Sequence, residues 1–224
     1  MKYALILIWF LPLITLTSAD TSGTSQKIHD NKPASLDQMI EMDRSDATLF
    51  EVLDRLAIEH RVPVGLEEAV DSQQRINRII YIQSGTLKSV LDFLTAQEPR
   101  YRWELRDGVI NVIPVVARDD LLQQFLATRI ARFVPPKGTR DKFEIRDAIM
   151  ALPEVKHFLE LNHLGIQPYS YAYGRSIYSN DNVDLRITNT DVRGVLNHVA
   201  RESEHKSWTV RRVGPQRENI LLSY

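Results

Sequence analysis

The sequence predicts an α+β protein made of two tandem small βαββαββ units, each a small sheet packed on two helices. Three observations carry this. The chain matches itself at a spacing of 105 residues without a gap, placing Ile82 on Ile187, Val90 on Val195, Leu91 on Leu196, Trp103 on Trp208 and Arg106 on Arg211. In both copies a run alternating apolar and polar residues is followed by apolar residues at i, i+3, i+4, i+7. Asp107-Gly108 then separates two further alternating runs in the first copy, a hairpin signal because a type I′ turn needs positive φ at both central residues.

Residues 1–19 come first and read as a cleavable secretory signal. Lys2 precedes the apolar run Ala4 to Leu11, Pro12 interrupts it, and Thr17-Ser18-Ala19 supplies small residues before Asp20. A membrane anchor is the competing reading. The apolar stretch is short and contains a proline, whereas crossing a bilayer takes roughly 20 residues. Cleavage after Ala19 implies a periplasmic or secreted protein with no stable membrane insertion. Without cysteine, attachment of a lipid to that residue is excluded, and stability must come from apolar packing.

Residues 20–35 form a flexible leader, because Asp20 to about Pro33 is rich in Thr, Ser, Asp, Asn and Lys and has little apolar surface to bury. Cleavage would remove Lys2 and leave 27 basic against 29 acidic residues, a balance that argues against a nucleic-acid partner.

The first unit spans 36–114. An entry strand lies around Met39 to Met42. Thr48 and Glu51 make a capping box for a helix with Leu49, Val52, Leu53, Leu56 and Ala57 on one face. A compact segment, Arg61 to Leu66, leads to a strand in which Ile80 and Ile82 alternate with Tyr81 and Gln83. Thr86 caps the second helix, with Leu87, Val90, Leu91 and Leu94 as its apolar stripe, and Tyr101, Trp103 and Leu105 open the hairpin.

A linker at 115–126 holds a short helix, Asp119 to Leu126, capped by Asp119 or Asp120. The second, degenerate unit spans 127–224. Its entry strand is around Thr128 to Val134. Its first helix carries Ile145, Ala148, Ile149 and Leu152, and Pro153 interrupts it before Val155, Phe158 and Leu159. A longer excursion from Leu164 to Asp181 follows. Val183, Leu185 and Ile187 then alternate as a strand, and Thr190 caps a helix with Val192, Val195, Leu196 and Val199. The last hairpin turns through Val213 to Asn219. Trp103 and Trp208 are expected at equivalent places, each ring against the second helix of its unit.

The first unit resembles the short N-terminal domain of secretins and TonB-dependent outer-membrane transporters, the STN domain. The carrying residues are Leu49 to Ala57, Val62 to Glu67, Gly85 to Leu94, and Tyr101-Arg102-Trp103 with its hairpin. The match covers about 65 to 75 residues of the first unit and the latter half of the second. It implies fold above all, since what recurs is core, caps and turns. It also implies the family's role of offering a small domain to an envelope partner.

Chemistry is sparse. The histidines His29, His60, His157, His163, His198 and His205 include no i, i+4 pair of the kind that builds a zinc site on a helix. No nucleophile elbow, phosphate loop or dinucleotide glycine pattern occurs. Glu67-Glu68 and Asp119-Asp120 read as solvated turn and cap residues, because neighbouring side chains diverge and cannot converge on a substrate. Arg211-Arg212 and Arg217 read as a solvated turn, and Tyr169, Tyr171 and Tyr173 as an aromatic strand face covering core.

The expectation is therefore an exported, non-catalytic protein–protein interaction module of the bacterial cell envelope, accessory to a secretion or transport system. No catalytic, metal or cofactor-binding residues are expected. Its partner would be an envelope protein, bound by strand addition at the edge formed by Ile76 to Gln83. The alternative is an exported enzyme or carbohydrate-binding protein with a site around residues 164–181.

Overall fold

The computed structural model describes residues 34–42, 47–70, 84–135, 142–167, 186–203 and 206–224. The chain enters through β1 (Met39–Ile40) and α1 (Leu49–Ile58). Thr48 caps α1 with both halves of the capping box: Glu51 N–H donates to the Thr48 hydroxyl at 3.2 Å, and Thr48 N–H donates to the Glu51 carboxylate at 2.7 Å. Two orphan amide donors are thereby satisfied, and the Glu51 carboxyl is held below its ordinary pKa by the Thr48 N–H and then the Thr48 hydroxyl, both of which donate to it. β2 (Val64–Glu67) and β3 (Gly85–Thr86) follow, and β3 runs straight into α2 (Leu87–Gln97). Leu87, Val90, Leu91 and Leu94 on α2 are all buried, each worth about 1.5–3 kcal/mol of transfer from water. β4 (Tyr101–Arg106) and β5 (Val109–Pro114) form the expected hairpin, with φ of 55° at Asp107 and 77° at Gly108.

α3 (Asp120–Leu126) is capped by Asp119 and leads to β6 (Arg129–Phe133). Pro153 does more than interrupt the next helix. It sits at the first turn of a new one, so α4 (Lys142–Met150) and α5 (Pro153–Leu161) are separate. β7 (Gly165–Ile166), β8 (Ile187–Asp191), α6 (Val192–Glu202), β9 (Ser207–Val213) and β10 (Asn219–Ser223) complete the chain. The cap of α6 is Asp191 and not Thr190: Gly194 N–H donates to Asp191 Oδ1 at 2.8 Å. A carboxylate accepts this bond more strongly than a hydroxyl.

The protein is thus mixed α+β, with six helices and ten strands among the described residues. The expectation of one separate small sheet per half is corrected by the pairing. A single six-stranded sheet runs β4-β5-β2-β9-β10-β7, its halves joined where β2 and β9 pair in parallel. Two short antiparallel pairs, β1 with β3 and β6 with β8, stand apart from it. The described residues all belong to one compact unit, Asn31–Tyr224.

Two cores lie on opposite faces of the shared sheet. Val64, Leu66, Ile110 and Val112 pack with α1 and α2 in the first core. Gly65 and Glu67 point the other way and register with Trp208 and Val210, which belong to the second core with Ile220, Leu222 and the apolar residues of α3 to α6. All four residues of β2 are consequently buried, as befits a central parallel strand covered on both faces.

Several expectations fall outside the described residues: the signal, the leader up to residue 33, the strand containing Ile80 and Ile82, Val183 and Leu185, and Tyr169, Tyr171 and Tyr173.

Candidate interaction site

The seam between β2 and β9 gathers most of the polar chemistry. Glu67 follows Gly65 onto the α6 side of the sheet and has no exposed surface. Its Oε1 accepts from Arg193 Nε of α6 at 2.7 Å, and its Oε2 accepts from Gln123 Nε2 of α3. Arg193 also donates to Gln123 Oε1 at 3.1 Å, closing a three-residue network. Glu68 accepts from Arg211 Nη1 at 3.2 Å. Asp119 caps α3 through Oδ1, while its Oδ2 accepts from Arg212 at 2.8 Å and from Arg217 at 3.0 Å. Arg217 further donates to the Val70 carbonyl at 2.8 Å.

These contacts correct two expectations. Glu67 and Asp119 are buried, and the half-buried Glu68, Arg211, Arg212 and Arg217 are ion-paired across the seam and not a freely solvated turn. They stand where the halves meet, and a charge in such a place persists only with a partner. The capping role expected of Asp119 is present as well.

A second group of contacts ties α6 to the first hairpin. Arg106 Nη2 reaches both carboxylate oxygens of Asp191, at 2.9 and 3.0 Å, so the α6 cap also anchors β4. Arg201 donates to the Asp107 carbonyl at 3.1 Å, and the Asn197 amide to the Arg106 carbonyl at 3.4 Å. Gln123, Asp191 and Arg193 were not singled out in the sequence and Arg106 entered only as the repeat partner of Arg211, although alternation along β2 already turns Glu67 away from Val64 and Leu66.

Chemically the seam neutralises itself, since each of these carboxylates faces an arginine and not a second carboxylate. The cleft beside it, lined by Ala69, Val70, Arg211, Arg212, Val213, Gly214 and Arg217, offers only about 70 Å³. That is far below the roughly 300 Å³ at which small-molecule sites begin. Among the described residues no three His, Cys, Asp or Glu side chains converge as metal ligands would, and no helix is long and apolar enough to cross a membrane. His198 stands beside Arg201, its Nδ1 2.9 Å from Nη2, and burial followed by that positive charge pushes its pKa down. His60, His157 and His163 lie on separate elements or loops, and His29 and His205 lie outside the described residues.

Backbone is available as well. Of the strand proposed as a binding edge, Ile76 to Gln83, all lies outside the described residues, but the six-stranded sheet has its own edge at β4. Val115 N–H donates to the Arg100 carbonyl at 2.7 Å, and Arg106 stands opposite Val109 at the hairpin end. In an antiparallel ladder this phase directs the amides and carbonyls of Arg102, Glu104 and Arg106 toward β5 and those of Trp103 and Leu105 outward. Among the described residues nothing in the backbone pairs with that outer row beyond Tyr101 N–H, which donates to the Glu98 carbonyl at 3.0 Å. Leu105 is 44% exposed there. Comparison with known proteins finds no family model, no curated protein and no solved structure that matches this chain.

Proposed function

We propose that this is an exported, non-catalytic interaction module of the cell envelope, built from two tandem STN-like units and accessory to a secretion or transport system. The signal-like residues 1–19 support export. The pairing order β4-β5-β2 and its counterpart β9-β10-β7 support the tandem reading, as do the separate pairs β1 with β3 and β6 with β8.

The observation that carries the functional reading is the outer row of β4, unpaired among the described residues beyond Tyr101 N–H. A partner strand from an envelope protein would bond to the main chain of Trp103 and Leu105, and neighbouring side chains would set specificity. The test is capture of a partner by the tagged mature protein, with hydrogen exchange at Trp103 and Leu105 followed in the complex. Binding should protect both amides. Leu105→Pro should abolish binding with circular dichroism unchanged, because that N–H points away from the ladder and proline is tolerated at such edge positions. A partner that binds Leu105→Pro as tightly as the parent, or turnover of an envelope substrate by the purified protein, would overturn the reading.

A further inference from the structure

The β4 edge carries charges that complement themselves, and we infer that its occupant in the isolated protein is the β4 strand of a second copy, paired antiparallel about a two-fold axis at Trp103. The inference rests on the reading that this edge accepts a strand. It adds that self-pairing and partner binding compete for one row of backbone groups.

Alternation along β4 places Tyr101, Trp103 and Leu105 on the face of the first core and Arg102, Glu104 and Arg106 on the other. The outward backbone groups restrict a second strand to registers that oppose Tyr101, Trp103 and Leu105 with one another. With Trp103 opposite its own copy, Arg102 of each chain faces Glu104 of the other, twice, in the close non-hydrogen-bonded positions where cross-strand side chains interact most. Their side chains are 54% and 33% exposed and already lie 3.0 Å apart within one chain, so pairing would extend them into an array of four alternating charges.

Sliding by two residues one way sets Glu104 against Glu104 and Arg102 against Arg106. Sliding the other way sets Arg102 against Arg102. Of these three registers only the central one avoids like charges in the middle of the strand, and a slide of four residues, which sets Glu104 against Arg106, keeps no more than three strand residues in contact and engages an arginine already held by Asp191. Beyond the strand, Arg106 would stand opposite Arg100, but each holds its own carboxylate, Asp191 at 2.9 Å and Glu98 at 2.7 Å.

The main chain fits the same register. Trp103 N–H would donate to the Trp103 carbonyl of the other copy, and Leu105 N–H to the Tyr101 carbonyl, each bond made twice by symmetry. The Tyr101 amide, already bonded to Glu98, is not required. Exposed Leu105 would be covered by Tyr101 of the other chain. Such a contact is isologous and closes at two copies.

The experiment measures mass by sedimentation equilibrium on the mature chain and on Arg102→Glu and Glu104→Arg, with circular dichroism and melting confirming that each variant is folded. The parent should reach twice the monomer mass with rising concentration, and salt should weaken the association. Arg102→Glu alone sets glutamate against glutamate, and Glu104→Arg alone sets arginine against arginine, so each should remain monomeric. Mixed in equal amounts they should form a one-to-one heterodimer, because the two reversals restore both attractive pairs. A parent that stays monomeric, a dimer indifferent to either reversal, or a mixture that fails to associate would overturn the inference. A monomeric parent whose envelope partner is still lost on Leu105→Pro would overturn self-pairing and leave strand addition standing. A charge-swapped heterodimer whose parent binds no envelope protein would do the opposite.

Discussion

The Trp208 indole N–H donates to Asn197 Oδ1 at 2.9 Å, inside the second core, and 105 residues earlier Trp103 donates to Asp92 Oδ1 at 3.0 Å. Each bond ties the first strand of a hairpin to the helix before it. Their surroundings differ: Trp208 and Asn197 are buried, whereas Trp103 is half-buried and Asp92 exposed. Asn197→Ala should therefore strand a buried donor and cost about 1–3 kcal/mol. Asp92→Ala frees an indole that water reaches and should cost about 0.5 kcal/mol or less. Chemical denaturation of the two variants checks the contrast, and equal losses would show that the two bonds do the same work.

Gly65 registers with Trp208, whose indole lies across β2 where a side chain would otherwise stand. A Cβ at Gly65 would overlap the ring itself, a rigid group with no free end to swing away. Gly65→Ala should cost about 1–3 kcal/mol by overpacking, expressed at the join of the halves. Increased hydrogen exchange along β9, with the β4–β5 hairpin unchanged, is the expected signature.

Much of this architecture was legible because it depends on local chemistry. Thr48 with Glu51, Asp107-Gly108, and the stripes Leu87 to Leu94 and Val192 to Val199 each specify their own element within a few residues. The spacing of 105 even places the cap Thr86 on the cap Asp191, although Thr190 looked equivalent beside it. The seam was not legible in the same way. Glu67 meets Arg193 across 126 positions and Arg211 meets Glu68 across 143, and no local pattern announces that β2 and β9 will be neighbours. Read alone, a charged residue at a strand end or near a turn looks solvated. Only the parallel pairing of β2 with β9 covers both faces, burying Glu67 and bringing Glu68 and Arg211 together as a half-buried pair.

His198 gives the contact between α6 and the first hairpin a dependence on pH. Burial and the Arg201 charge lower its folded pKa, so the unfolded chain takes up this proton more readily. Stability from this group is full above its unfolded pKa of about 6.5 and is lost as pH falls through the lower folded value. Protonation would also remove the Nδ1 acceptor facing Arg201. Melting temperature should fall between about pH 7 and 5, and His198→Gln should flatten that slope. A slope unchanged in the variant would assign the effect to other groups.

Glu67 and Arg193 offer the sharpest test of what joins the halves. The carboxylate is fully buried and the guanidinium nearly so, with oxygen and nitrogen 2.6–2.7 Å apart. A buried pair contributes little over a well-packed apolar substitute, because desolvating two ions offsets most of their attraction, but removing one member leaves the other unpaired. Arg193→Met should accordingly cost about 3–5 kcal/mol. Adding Glu67→Gln removes the stranded charge while keeping a side chain that Gln123 can still bond. The double variant should then be more stable than Arg193→Met alone, so the two substitutions would compensate and not add. Urea unfolding of the parent, both single variants and the double variant measures that coupling directly. Simple additivity would show that the pair does not act as a unit and that the backbone ladder between β2 and β9 holds the join without it.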